Sequence, residues 1–348
     1  MNKNTLKTLL FLSLVFILSS YQQERTINIF MIGDSTMANK DISGDKQERG
    51  WGMVLQNYFT DNVIVDNHAV NGRSTKSFIN EGRWQKVVDK ICPGDYVIIQ
   101  FGHNDEKPNA DRHTDPGSTF DANLERFVNE TRAKGGKPII CNCVVRRNFY
   151  RQSDNSVDDE SLRNKTYEDE NINSDTLIDT HGDYRIAPRI VAERLHVPFV
   201  DANQITERLE NSLGVIGSRK LHMWFKPGEH PSLPKGKLDN THYNVYGAHV
   251  VAGLLVDEIT KQVPELTQYV NHFDISVAKD GSGHFFDLQD AVNLAAKNMI
   301  PSPDGKGFMK VKGPVTIRVG KGNWNKPVLP KNNQIRICLT SGAKWLEK

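Results

Sequence analysis

Four short stretches of this 348-residue chain hold the residue types that acyl transfer requires. They are Gly33-Asp34-Ser35, Asn71-Gly72-Arg73-Ser74, Gly102-His103-Asn104-Asp105 and Asp239-Asn240-Thr241-His242. A serine hydroxyl such as that of Ser35 is a weak nucleophile until a base takes its proton. His242 can be that base. Asp239, just upstream, can accept a hydrogen bond from the N–H of the other ring nitrogen and fix the tautomer. The tetrahedral oxyanion then needs donors aimed at it. The backbone N–H groups of Ser35 and Gly72 and the side-chain amide of Asn104 are natural suppliers. Glycine at position 72 lets the backbone approach a substrate closely.

These groups need elements that bring them together. Apolar runs at Ile27–Ile32, Asn62–Val70, Asp95–Phe101, Pro138–Val145 and Val197–Val200 read as strands. Trp84–Ile91, Phe120–Lys134 and Tyr184–His196 read as the helices between them. Tyr243–Val263 reads as a last helix ending before Pro264. Gly135-Gly136 is a usual helix C-terminal stop. Strands buried on both faces and separated by helices predict an α/β fold, a parallel sheet with helices on both sides. In such a sheet ligands bind outside the carboxyl ends of the strands. The Ser35, Gly72 and Asn104 motifs follow the first three strands directly. With the Asp239–His242 pair returning before the last helix, they are expected to share one crevice.

In this order the four blocks resemble those of the SGNH (GDSL) hydrolases, over about Thr26–Leu266. The resemblance implies a three-layer α/β/α flavodoxin-like fold. It also implies Ser35, Asp239 and His242 as catalytic residues, and Ser35, Gly72 and Asn104 as the oxyanion hole. Longer stretches narrow the branch: Gly33-Asp34-Ser35-Thr36-Met37-Ala38, Arg49-Gly50-Trp51-Gly52, Asn71–Phe78, Gln100–Asp105 and Val144-Val145-Arg146-Arg147. Together they resemble the rhamnogalacturonan acetylesterases, which remove acetyl groups from branched pectin. The polar insert at 151–175 and the stretch 214–238 depart from that pattern and fall where the rim of the crevice is expected. An acetylated pectic polysaccharide is therefore the expected partner. Another acetylated carbohydrate such as xylan, and a non-catalytic carbohydrate-binding protein, are the alternatives.

Arg146 and Arg147 follow the fourth strand, on the side expected for Ser35. Arginine suits a bidentate grip on a galacturonate carboxylate, so both are candidate substrate-binding residues, with solvated surface arginines as the other reading. Trp51 has two readings, a stacking platform for a sugar face or a packing residue. His103 likewise reads as a substrate contact or as a structural hydrogen-bonding group.

Composition sets outer limits. Lys+Arg is 44 and Asp+Glu 42, a balance that argues against a general nucleic-acid binder. With 38% hydrophobic residues, wholesale disorder is excluded. Four cysteines cannot make a disulfide scaffold. Cys141 and Cys143 read as small buried hydrophobes. No Cys or His pair at ligand spacing has a second such pair behind it, so no metal is expected and the chemistry calls for no cofactor. Residues 1–20 carry Lys3 and Lys7, the apolar run Leu9–Leu18 and then Ser19-Ser20, the pattern of a secretory signal peptide. The mature chain is expected to be secreted or periplasmic, without a membrane span.

The character of the chain changes near His272, which separates a hydrolase domain over 24–270 from a segment over 274–348. Ile275–Phe285 with its Gly-rich turn, Leu288–Val292, and Val315–Val319 with Asn323-Trp324 resemble the start of the pectin methylesterases. That resemblance implies a short, truncated parallel β-helix-like segment. The family's catalytic residues come from later coils, so none is carried over. The segment is expected to contain no strand–helix–strand unit, to bury its stacking face poorly and to be dispensable for ester hydrolysis.

Overall fold

The computed structural model describes residues 26–151, 170, 172–331 and 334–347. The expected signal peptide at 1–20 and most of the insert at 151–175 lie outside the described residues.

Chain order gives β1 (Ile27–Gly33), a two-residue β2 (Glu48–Arg49), β3 (Val63–Asn67), helices α1 (Thr75–Asn80) and α2 (Arg83–Val88), and β4 (Tyr96–Gln100). Then come α3 (Thr119–Ala133), β5 (Lys137–Cys141), α4 (Asp183–Leu195), β6 (Phe199–Val200), α5 (Ala202–Gly217), β7 (Tyr243–Asn244) and α6 (Val245–Gln262). The main sheet has the order β3-β1-β4-β5-β6, and its strands pair in parallel. Side chains alternate between its faces because a strand has a period of two. Ile29 and Met31 join Ile98 and Ile139 against Val251, Leu255 and Ile259 of α6. Phe30 and Ile32 join Val97 and Ile99 against Trp84, Phe120, Phe127 and Val191 of α2, α3 and α4. Both faces are covered, which is why these strands read as continuous apolar runs. The result is a parallel sheet with helices on both faces.

The structure adds helices α1 and α5 and the short β2–β7 pair, which the sequence reading lacks. Helix α5 fills part of the stretch after the fifth strand; Asp201 caps it by accepting from Gln204 N. The last helix begins at Val245, with the Asn244 side chain accepting from Gly247 N. Tyr243 and Asn244, expected to be helical, instead form the antiparallel pair Glu48↔Asn244 and Arg49↔Tyr243. Cys141 and Cys143 are buried free thiols.

The segment after Asp274 contains β8 (Ile275–Val277), α7 (Leu288–Ala295), β9 (Met299–Pro301) and β10 (Phe308–Lys310). It continues through β11 (Val315–Val319), β12 (Gly322–Trp324), β13 (Ile335–Leu339) and β14 (Ala343–Trp345). β11 pairs in parallel with both β8 and β13, and β12 pairs in parallel with β14. The expectation of no strand–helix–strand unit is corrected: β8, α7 and β11 make one. Asp287 caps α7, and its apolar side packs Leu288, Ala291 and Val292 on Ile275, Val277 and Ile317.

The segment is also seated on the first domain. Arg49 Nε donates to Gly281 O at 2.8 Å, and Asn57 Nδ2 to Ser282 O at 2.6 Å. Tyr246 donates to Ser302 O at 2.7 Å, and the Arg318 guanidinium reaches Asn57 Oδ1 at 3.1 Å. The rings of His249 and His284 stack with centroids 3.6 Å apart. Its inner side is thus buried, while Leu339 and Leu346 near its far edge stay exposed.

Candidate active site

The nucleophile candidate sits in a turn fixed from below. Asp34 accepts from Thr36 N at 2.9 Å and from Thr36 Oγ1 at 2.8 Å. Gln100 Nε2 donates to Thr36 Oγ1 at 2.9 Å, and Trp51 Nε1 donates to Gln100 Oε1 at 2.7 Å. A chain of buried hydrogen bonds therefore runs from Trp51 to the residue before Ser35. Trp51 is wholly buried, which selects its packing reading over a sugar platform.

Ser35, half-buried, faces His242 with 2.9 Å between Oγ and Nε2. His242 Nδ1 lies 2.9 Å from Asp239 Oδ2. Asp239 Oδ1 also accepts from the backbone N–H groups of Thr241 and His242, each at 3.0 Å. Burial pushes the Asp239 carboxyl up, but the facing His242 and these hydrogen bonds outweigh it and hold the carboxyl well below the usual range. Asp239 is therefore an anion at neutral pH. It orients the ring so that Nδ1 carries the proton and Nε2 can accept one from Ser35.

The amide side is assembled by sheet neighbours. β1 lies between β3 and β4, and Val70 N donates to Gly33 O at 3.0 Å, which draws the Gly72 turn toward Ser35. Gly72 has φ +74°, the left-handed region that favours glycine. Asp105 ties the two amide loops together. It accepts from Thr75 N at 3.0 Å, Thr75 Oγ1 at 2.6 Å and Thr114 Oγ1 at 2.8 Å. Burial pushes its carboxyl up to about 7. Asn104, at the edge of this anchor, has its Nδ2 3.3 Å from Arg73 O.

His103 is buried, with Nδ1 3.4 Å from Asp34 Oδ2. Burial pushes its imidazole down to about 4, against the pull of Asp34. It is a neutral group packed under the nucleophile turn, facing Asp34 beyond ordinary hydrogen-bond distance, so the expected structural hydrogen bond is not formed.

Arg146 and Arg147 are placed differently from the expected rim grip. Arg146 is 6% exposed and pairs with Glu106, with a further hydrogen bond to Thr180 Oγ1 at 3.1 Å. Arg147 is wholly buried. It pairs with Glu170, donates to Asn240 Oδ1 at 3.0 Å and Ser218 Oγ at 2.9 Å, and lies over the Trp224 ring. These guanidinium groups are directed to internal carboxylates, so the expectation of two open carboxylate-binding arginines is corrected. Arg147 supports the loop of the acid–base pair, since its N–H donates to Asn240 O beside Asp239.

Two features escaped the sequence reading. His222, given no role there, is buried with Nε2 2.7 Å from Glu210 Oε1, and its neighbour Met223 N donates to His242 O at 2.9 Å. Lys40 and Glu48 lie 2.7 Å apart beside the crevice. No local motif marks either, because both depend on strand pairing distant in sequence.

The pattern of the GDSL-like Lipase/Acylhydrolase family matches residues 31–250. The chain belongs to this family. Rhamnogalacturonan acetylesterase RhgT of Bacillus subtilis is 36% identical over 261 residues, 75% of this chain and 99% of the relative. A rhamnogalacturonan acetylesterase of Emericella nidulans is 30% identical over 231 residues, 64% of this chain and 81% of the relative. The crystal structure of YxiM from Bacillus subtilis aligns with a TM-score of 0.52 at 23% identity, over 68% of this chain and 57% of that one. That likeness concerns the fold alone. With the family match and these relatives, this GDSL protein is a carboxylic ester hydrolase.

Proposed function

We propose that this hydrolase is an exported serine esterase that removes acetyl groups from a pectic polysaccharide of the rhamnogalacturonan type. The observation that carries the mechanism is the relay Ser35 Oγ, His242 Nε2 and Nδ1, Asp239, with contacts of 2.9 Å at each step. In this reading Ser35 Oγ attacks the ester carbonyl carbon as its proton passes to His242 Nε2. The N–H groups of Ser35 and Gly72 and the Asn104 amide meet the oxyanion. The sugar oxygen leaves with the proton from His242. Water, deprotonated by the same ring, then releases acetate and restores Ser35.

The substrate reading is supported by the names of the relatives matched over most of their length. Export is supported by the basic, apolar and small-residue pattern of residues 1–20. Among the described residues no helix is long and apolar enough to cross a membrane. We read 274–348 as a short β-helix-like segment resembling the start of a pectin methylesterase, and as inactive. The parallel stacking of β8, β11 and β13, and of β12 on β14, supports that reading.

The test is acetate release from acetylated rhamnogalacturonan, acetylated xylan and a small aryl acetate, side by side. The expected result is preference for the first polymer and loss of all three activities in Ser35→Ala. Preference for xylan would overturn the substrate reading alone. Unchanged turnover by folded Ser35→Ala would overturn the mechanism.

A further inference from the structure

The geometry points to Lys40 as a positioning residue that locks the amide-donor loop to the base side of the site, with Glu48 as its counter-ion beside His242. This rests on the serine-esterase reading above.

Lysine is almost never fully buried unless it is paired. The Lys40 side chain is only 4% exposed. Its Nζ lies 2.7 Å from Glu48 Oε1 and donates to Asn71 Oδ1 at 2.7 Å. These two partners belong to opposite halves of the crevice. Asn71 immediately precedes Gly72, whose N–H is a proposed oxyanion donor. Glu48 lies in β2, opposite Asn244 of β7, and His242 is the residue just before β7. One ammonium group therefore spans from the oxyanion loop to the strand that carries the base.

Gly72 is where such a clamp is needed. Its left-handed backbone has the freedom of glycine, so nothing in residue 72 itself fixes the direction of its N–H. Lys40 holds the Asn71 side chain next to it, and Arg73 Nη1 holds the Asn71 carbonyl at 3.0 Å. The Glu48 side chain is 30% exposed, and ion pairs open to solvent contribute little to stability. A pair held at this spot is better explained by placement than by stability.

The charges facing His242 are Asp239 from its own loop and Glu48 from β2. Lys40 neutralises part of Glu48, and Lys237 Nζ stands 3.8 Å from Asp239. Burial pushes the Glu48 carboxyl up, but His242 and Lys40 outweigh it and keep it ionised below the usual range.

The experiment measures kcat and KM for a small aryl acetate across pH, using the full chain with Lys40→Met, Lys40→Arg and Glu48→Gln. Thermal unfolding and near-UV circular dichroism serve as fold controls. Lys40→Met is expected to lower kcat about tenfold through misplacement of the loop, with KM little changed. Glu48→Gln releases one end of the clamp and is expected to lower kcat in the same direction by a smaller factor, again with KM little changed. Lys40→Arg keeps the charge and recovers part of the rate. A folded Lys40→Met with wild-type kcat overturns the inference. If Lys40→Met does not fold, Glu48→Gln decides, and a wild-type kcat overturns it. Loss of activity in Ser35→Ala alongside a normal Lys40→Met leaves the esterase mechanism standing and removes only this step.

Discussion

The esterase sheet and the C-terminal strand stack are both built from parallel pairs, yet only the first gathers reactive groups. In the esterase domain β3 reaches β4 through α1 and α2, β4 reaches β5 through α3, and the carboxyl ends of β1, β3 and β4 lie side by side. Those ends release Ser35, Gly72 and Asn104 into neighbouring loops. In the C-terminal segment β11 is stacked directly between β8 and β13. The strand ends run on into the next layer: Gly320 N donates to Val277 O, and Thr340 N donates to Val319 O. Helical crossovers occur in both, so the difference lies in what the loops after the strands carry: Ser35, Gly72 and Asn104 in the esterase sheet, and a continuing backbone ladder in the C-terminal segment.

The hardest test of that contrast is removal of a single group at a strand end. Ser35→Ala is expected to lower kcat by about 10⁶-fold, and Asp239→Asn by about 10⁴-fold, with the fold retained. Aryl acetate turnover beside a circular dichroism spectrum checks both. A loss below a hundredfold in either would remove the crevice as the seat of the chemistry.

Arg147→Ala comes next. Glu170 keeps Arg219 as a partner, but Asn240 and Ser218 lose a donor, at a cost toward the low end of about 3–5 kcal/mol in stability. Turnover should fall alike on acetylated polymer and on a small neutral ester, because the damage is to the loop around Asn240. A loss confined to the polymer would restore the carboxylate-grip reading of this residue.

Deleting 274–348 sharpens the comparison from the other side. The sequence reading made this segment dispensable, but its docking contacts to Arg49, Asn57 and Tyr246 give it a part in stability. The truncated chain is expected to keep the activity within about tenfold and to unfold at lower temperature, with each lost hydrogen bond worth about 1 kcal/mol. An unchanged midpoint in calorimetry would mean that the contact contributes nothing.

The smallest effect is a pH dependence. Glu106 is pushed up by burial, but His181 and Arg146 beside it pull it down to about 2. A carboxyl depressed on folding contributes stability that is full above its ordinary value near 4.5 and is lost as pH falls toward 2. Glu106→Gln should therefore flatten the acid arm of a Tm-against-pH curve in that window. An arm as steep as in the wild type would show that other carboxylates set it.

What was legible in the sequence follows the range of the interactions. The central strands could be read because both their faces are apolar and buried, and the four motifs because each is local and follows a strand or precedes a helix. Trp51 and His103 each carry two readings in the sequence, since only the fold decides whether a ring beside a motif is buried. Arg146 and Arg147 were misplaced for the same reason: Glu106 and Glu170 are remote in sequence and carry no pairing signal. The Lys40–Glu48 contact depends on β2 and β7, each two residues long, too short for any periodicity. Residues Tyr243 and Asn244 were read as helix because they adjoin the strong apolar pattern of α6, and the cap at Asn244 outweighed that pattern.

The central claim is that an acetyl group passes through Ser35. It is tested most directly by rapid mixing with an aryl acetate, acid quench and peptide mass mapping. The expected result is a burst of the aryl alcohol, with one acetyl group found on the peptide at Ser35 and absent from Ser35→Ala. Full turnover with the acetyl group on another residue, or undiminished turnover in Ser35→Ala, would contradict the account.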